Sequence, residues 1–297
     1  MLKTDLQKNH GTEEPEETLM DFAFHDKNAE ERTRNHPCYN VCSRENARIH
    51  LPVAPKCNIQ CNYCLRKFDC PNESRPGVTT KVLTPGEGLK RYLEVKKELP
   101  RLSVVGIAGP GDALCDFRNT EETLRLIRQQ DKEITFCLST NGLLLLKYAD
   151  RIADLGVSHV TVTVNAVDPS VSARIYKYVA YEGVEYIGEK AGTLLLDNQL
   201  AGLEKMAEKG IVCKVNIVVL KGINDFHIPE IARTVKKSGC YIVNIMPHIP
   251  VPGSAFEHLP GTGAAEIDRL RKECGRTILQ MYHCRQCRAD AVGTLSR

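Results

Sequence analysis

The sequence has no apolar run of 18 residues, no charged-then-apolar start of the secretory kind and no transit-peptide composition. These absences predict a soluble, cytoplasmic protein with no membrane association. Charge of one sign is also scarce: 40 Lys and Arg against 37 Asp and Glu leave a formal net charge of +3, too little to argue for a nucleic-acid partner. Against this plain background the 13 cysteines stand out. In a chain with no export signal they point away from disulfides and toward thiolate ligands in a reducing compartment, with oxygen sensitivity as the consequence. With 297 residues and 42% hydrophobic content, the chain can build one large α/β barrel or two modest domains around a real core.

Three of the thiols fall in the stretch Cys57-Asn58-Ile59-Gln60-Cys61-Asn62-Tyr63-Cys64, with Pro52 and Pro55 just ahead. C-x3-C-x2-C can set three thiolates around one face of a cubane iron–sulfur cluster and leave the fourth iron without a local protein ligand. A structural zinc site wants four closed ligands, commonly as paired C-x2-C units, and does not use this uneven spacing. Three buried or disulfide-bonded cysteines are the bland alternative. A separate C-x2-C, His283-Cys284-Arg285-Gln286-Cys287, stands near the end of the chain. Alone it is half a zinc site, a redox pair or a pair of cluster ligands.

Residues 1–35 carry nine acidic and five basic side chains with little apolar periodicity, the pattern of an acidic, mobile arm; Leu19–Phe24 can form a short helix along the domain. His36, Cys38, Cys42 and His50 then precede the cysteine loop, and Cys70 follows it. Imidazole and thiolate both ligate iron when deprotonated, although a lone Cys is usually a small buried hydrophobe. A first strand is predicted near Ile49–Ala54. Further strands are predicted at Leu102–Ala108, Ile134–Thr140, Val160–Asn165, Val212–Leu220 and Tyr241–Met246. Helices are predicted between and after them, near Gly86–Leu99, from about Thr120 with Glu121 and Glu122 in its first turn, and at Leu143–Leu155, Leu194–Lys209, Ile228–Ser238 and Ala264–Met281. Strands and helices alternating at this spacing predict a parallel sheet of about six βα units.

In such a sheet, chemistry collects at the C-terminal strand ends. Gly109-Pro110-Gly111-Asp112 lies at one of them, where glycine lets backbone carbonyls approach a ligand and Asp112 can accept hydrogen bonds from an ammonium group. Asp112 is equally a turn or helix-capping residue. Ser139, Thr140, Asn141 and Asn165 end other strands with polar groups, suited to a ribose or a carboxylate, or simply to turns.

The C-x3-C-x2-C motif, with Tyr63 just before its third cysteine, resembles the signature of the radical S-adenosylmethionine (SAM) superfamily. The resemblance implies a partial (βα)6 barrel, here with cluster-binding extensions at both ends. It also implies a 4Fe-4S cluster whose open iron chelates SAM and splits it reductively into methionine and a 5′-deoxyadenosyl radical. Tyr63 is then expected to pack near the adenine. Gly109-Pro110-Gly111-Asp112 looks like the superfamily's Gly-Gly-Glu-type motif that holds the SAM amino group, with Pro and Asp as departures.

Three further blocks extend the likeness: His36-Pro37-Cys38, the run Pro52–Cys64 continuing through Cys70-Pro71-Asn72-Glu73 to Val78, and His283–Gly293. Together they resemble the NifB family of nitrogenase cofactor maturases over roughly residues 36–293, in a compact form without the C-terminal carrier domain of longer members. That resemblance implies two further four-iron clusters, fused with a carbide from the SAM methyl group and an added sulfur into an eight-iron core. It implies as ligands Cys38, Cys70, Cys115, Cys137, Cys284 and Cys287, with His50 or His36 as a nitrogen ligand and possible base. His50 is preferred because it adjoins the first strand and should point to the barrel mouth. Cys213, Cys240 and Cys274 are assigned to packing, and Cys42 is left open. The expected partners are SAM, cluster-delivery and cofactor-acceptor proteins of nitrogenase assembly, and a reductant such as ferredoxin. The predicted organisation is an arm at 1–35, a barrel at 36–250 and a C-terminal extension at 251–297. A peptide maturase with auxiliary clusters would share the signature and the tail cysteines, and a non-enzymatic cluster carrier would need no SAM.

Overall fold

The computed structural model describes residues 27–40, 43, 45–68 and 70–295. The Leu19–Phe24 stretch, Cys42 and most of the 1–35 arm lie outside the described residues. Helix α1 (Lys27–Thr33) leads to β1 (Ala47–His50); the cysteine loop carries β2 (Ile59–Cys61), and β3 (Lys67–Phe68) and β4 (Val78–Thr79) follow. Strand and helix then alternate through α2 (Pro85–Glu98), β5 (Leu102–Ile107), α3 (Phe117–Gln130), β6 (Thr135–Thr140), α4 (Ala149–Asp154) and β7 (Val157–Thr163). An insertion of α5 (Pro169–Ile175) and the hairpin β8 (Tyr176–Tyr181) and β9 (Val184–Tyr186) precedes α6 (Gly188–Glu208). The chain continues through β10 (Val212–Val219), α7 (Ile228–Lys237), β11 (Ile242–Pro247), α8 (Ala264–Gly275), β12 (Leu279–Gln280) and β13 (Val292–Gly293).

The main sheet has the order β12-β11-β10-β7-β6-β5-β1-β13. From β1 through β11 every neighbouring pair is parallel, and a helix follows each of these strands, which makes six βα units. The sheet is open, so the fold is the expected partial (βα)6 barrel. Because β12 and β13 lie at opposite edges of the sheet, residues 281–291 cross the opening as a strap. Arg288 fastens it by donating to the carbonyls of Cys70 and Glu73 and to Asp290, and the Ala289 N–H donates to the Val78 carbonyl.

Strand alternation sorts the side chains into two faces. Ile49, Val105, Phe136, Val160, Val215 and Val243 belong to the core shared with Tyr92, Leu124, Ile152, Leu203, Ile231 and Ile267 on the surrounding helices. The alternate positions, Arg48, His50, Cys137, Ser139, Thr161, Thr163, Lys214, Asn216 and Asn244, line the barrel's interior cavity. An interior this polar is not built for packing alone.

Several boundaries differ from the sequence reading. Strand β1 ends at His50 rather than at Ala54, because Pro52 and Pro55 cannot donate to a ladder; beyond it only Ala54 bridges to Pro110. Helix α3 opens at Phe117, so Glu121 sits in its second turn, where it pairs with Arg125 at 2.9 Å and with Arg151. Residues 143–148 are turns, which shortens α4. Helix α8 stops at Gly275, before the β-branched Thr277 and Ile278. The β8–β9 hairpin was unanticipated; β8 pairs with β2 and covers the cysteine loop.

Candidate functional site

The strand ends and the cysteine loop enclose one cavity of ≈ 300 Å³. Cys57, Cys61 and Cys64 all line it and are free thiols. Each of the three lies near enough to another for their charges to couple, although burial is the larger effect; it drives their pKa values up, that of Cys57 to about 12. They are therefore protonated when metal-free, and binding metal expels protons. No three His, Cys, Asp or Glu among the described residues are arranged to hold a single metal ion.

Polar groups brace this loop. Asn141, just past β6, donates to Asn58 at 2.7 Å and approaches the Cys57 sulfur at 3.8 Å. The Tyr63 hydroxyl lies near the Cys61 thiol and accepts from the Asn165 amide at 2.8 Å. Donors of this kind orient thiolate ligands and tune a cluster. Asn165 is fully buried. Its amide also donates to Tyr176 and its oxygen accepts from the Val218 N–H, so it positions Tyr63 rather than presenting itself to the cavity.

Gly109-Pro110-Gly111-Asp112 runs beside the chain just before the cysteine loop: the Gly111 N–H donates to the Ala54 carbonyl and the Asp112 N–H to the Lys56 carbonyl, both at 2.7 Å. A Cβ on Gly111 would fall 2.0 Å from the Lys56 carbonyl oxygen. The close approach of two backbones thus requires this glycine. Asp112 is buried, and its carboxylate is filled by the Thr140 hydroxyl and the N–H groups of Asn141, Leu114 and Cys115. The expectation that it receives an ammonium group meets acceptors already in use; the residue ties the loop to β6 and to the turn before α3. Pro110, Gly111, Asp112, Ser139, Thr140 and Asn141 line the cavity, while Gly109 is not part of its wall.

A second set of thiols faces the same space. Cys38, Cys137, Cys284 and Cys287 line the cavity, and the first three of these pack against one apolar cluster around Tyr39 and Met281. Cys38 and Cys137 feel each other's charge, and Cys38 that of Cys284 and Cys287. Burial pushes Cys137 up to about 12. Cys284 and Cys287 arrive on the strap. Cys70 and Cys115 are not in the wall: Cys70 faces Glu73 at 3.7 Å, and Cys115 lies near Asp112 and Asp116. Cys213, Cys240 and Cys274 are buried in the core.

The two candidate histidines differ in a way that decides their chemistry. His50 Nδ1 faces the Arg288 carbonyl at 3.1 Å, and since a carbonyl only accepts, Nδ1 carries the proton and Nε2 the lone pair. Enclosure lowers its pKa to about 4, so the ring is neutral at pH 7. In His36, Nδ1 accepts from the Cys38 N–H at 3.2 Å, which puts the proton on a buried, unpartnered Nε2. His50 thus offers a ligating nitrogen and His36 offers a donor.

Polar residues of the wall that the sequence reading passed over include Arg48, Thr163, Lys214, Asn216 and Asn244. The available signal was alternation: Lys214 and Asn216 occupy every second position of an otherwise apolar strand. Arg48 Nε, Asn244 Oδ1, His36 Nε2 and both His248 nitrogens are buried with no partner, which points to an occupant of the cavity. Free thiols at cluster spacing in sequence, donors beside the sulfurs and orphaned polar atoms around the space fit a thiolate-held cluster with a polar organic ligand.

The radical SAM superfamily model matches residues 51–235. The chain is 48% identical to the FeMo cofactor biosynthesis protein NifB of Chlorobaculum tepidum over 263 residues, 88% of this chain and 62% of that protein. It is 47% identical to the NifB of Klebsiella pneumoniae over 265 residues, 88% of this chain and 57% of that one. The chain therefore spans a little over half the length of these curated relatives. Among solved structures, SuiB of Streptococcus suis overlays 75% of this chain and 44% of its own with TM-score 0.54 at 15% identity. Methylornithine synthase overlays 90% and 79% with TM-score 0.51 at 14% identity; at such identities the likeness is one of fold.

Proposed function

Because the chain belongs to the radical SAM superfamily, we propose that it is a maturase that joins two four-iron substrate clusters, with a SAM-derived carbon and an added sulfur, into the eight-iron core of the nitrogenase cofactor. The observation that carries the reading is that one cavity holds two sets of free thiols, the signature three and Cys38, Cys137, Cys284 and Cys287. A SAM-cleaving enzyme with no further cluster needs only the first set. The 44–48% identity to NifB proteins supports the same choice.

Cys57, Cys61 and Cys64 would hold the resident 4Fe-4S cluster, which with SAM supplies a 5′-deoxyadenosyl radical. Tyr63 and Asn141 keep the cysteine loop oriented, and Asn165 and Asp112 act through them and through the Gly109–Asp112 loop. Ser139, Thr163 and Asn216 offer hydroxyl and amide groups to the polar parts of SAM. The proposed ligands for the substrate clusters are Cys38, Cys137, Cys284, Cys287 and Nε2 of His50; Cys70 and Cys115 are left out because they stand outside the wall. When not ligating iron, His50 Nε2 would take a proton from the inserted carbon. Delivery and acceptor proteins of nitrogenase assembly, and a reductant such as ferredoxin, are the corresponding partners.

Anaerobic reconstitution with iron and sulfide, followed by iron counting and electron paramagnetic resonance before and after SAM, tests the reading. Wild type should hold about twelve irons and lose its substrate-cluster signal when SAM is added, and Cys284→Ala/Cys287→Ala should hold about four fewer. About four irons in both proteins would leave a single-cluster radical enzyme.

A further inference from the structure

Two cations are buried in the cavity wall without a carboxylate. Arg48 on β1 and Lys214 on β10 are 5% and 6% exposed, and no Asp or Glu among the described residues forms an ion pair with either. Arg48 instead donates to the Cys287 sulfur at 2.9 Å and to the carbonyls of Gly293 and Thr294; its Nε has no partner. The Lys214 ammonium sits 4.7 Å over the Tyr39 ring, and its charge reaches Cys38 and Cys137. Taking an ammonium or guanidinium out of water costs several kcal/mol unless an opposite charge compensates it. No carboxylate among the described residues does so.

We propose that Arg48 and Lys214 are the fixed counter-charge for an anionic inorganic cluster seated among Cys38, Cys137, Cys284 and Cys287. The assignment rests on the maturase reading above. Each thiolate and sulfide added to such a cluster, and each electron it takes up, makes it more anionic, so two fixed cations offset the charge that builds as the substrate clusters are ligated and reduced. They favour its entry into a low-dielectric chamber and raise the reduction potential of what is bound there. A neutral ligand would leave both charges unmatched. The signature thiols face Arg66 instead, so the effect is confined to the second set.

Lys214→Met, Lys214→Arg and wild type should be compared by thermal denaturation without metal, by iron content after anaerobic reconstitution and desalting, and by redox titration followed by electron paramagnetic resonance. Metal-free Lys214→Met should melt no lower than wild type, since it removes an uncompensated buried charge. It should keep the signature cluster, about four irons, and lose most of the others. Any remaining substrate-cluster signal should titrate at a more negative potential, and Lys214→Arg should restore both properties. An unchanged iron content and potential in Lys214→Met, beside a wild type holding about twelve irons, overturns the counter-charge alone. A lower melting point without metal overturns it by making Lys214 structural. A wild type that itself holds only about four irons removes the maturase reading, and this inference with it.

Discussion

The side-chain amide of Asn165 donates to the Tyr63 hydroxyl at 2.8 Å, tying the end of β7 to the cysteine loop through a residue that never meets solvent. Asn165→Leu removes that bond and strands the Val218 N–H. At about 1–3 kcal/mol for each buried group left unpaired, the metal-free protein should lose roughly 2–4 kcal/mol in chemical denaturation. An unchanged midpoint contradicts the bracing role.

Gly106 leaves room for an imidazole. A Cβ there would lie 2.9 Å from Cδ2 and 3.4 Å from Nε2 of His50, so Gly106→Ala must push the ring off its seat, at about 1–3 kcal/mol. If Nε2 ligates a substrate cluster, nitrogen hyperfine coupling to that cluster should disappear while the signature cluster persists. Retention of the coupling excludes His50 as ligand.

Asp112→Asn keeps the shape and replaces an all-acceptor carboxylate by an amide that can no longer accept from all four donors now served. A loss of about 2–3 kcal/mol is expected, because hydrogen bonds to a charged group are being removed. Affinity for SAM should fall only as far as the loop loosens, which equilibrium dialysis of the folded variant would report. Complete loss of SAM binding in a variant of native stability would instead make Asp112 a direct SAM ligand.

His159 is fully buried against His36, with ring centroids 4.5 Å apart. Burial lowers its pKa to about 3, below the ordinary 6.5, so the unfolded chain binds a proton that the native one refuses. Its contribution to stability is fully present above about pH 6.5 and is lost as pH falls toward 3, at up to about 1.4 kcal/mol per pH unit. His159→Phe should flatten the stability–pH curve of the metal-free protein by that slope. An unaltered slope means the ring is not held neutral.

The alternation of strand and helix was legible because long apolar strands such as Val212–Val219 recur between helical stretches, and the signature cysteines because their spacing has little other use. The roles of Asp112 and Gly111 were not. A strand-end Asp and a glycine suit a ligand and a backbone brace equally well, and only the 2.7 Å contacts with Ala54 and Lys56 separate the two. Nor was the choice between His36 and His50 fixed by position in the chain; it rests on which ring nitrogen meets a carbonyl. The strap is also a tertiary fact, since it depends on β12 and β13 joining opposite edges of one sheet. Lys214 and Arg48 were visible as polar residues in apolar strands, yet their burial without carboxylates appears only in three dimensions.

The central claim is that the second set of thiols holds clusters that receive carbon from SAM. Reconstituted protein should therefore be given SAM labelled with carbon-14 in its methyl group, under reducing anaerobic conditions, and the extracted iron–sulfur product should be counted for label. The account predicts about one labelled carbon for every eight irons extracted from wild type, and none from Cys284→Ala/Cys287→Ala. Cleavage of SAM with no label in the iron–sulfur fraction of wild type would contradict it.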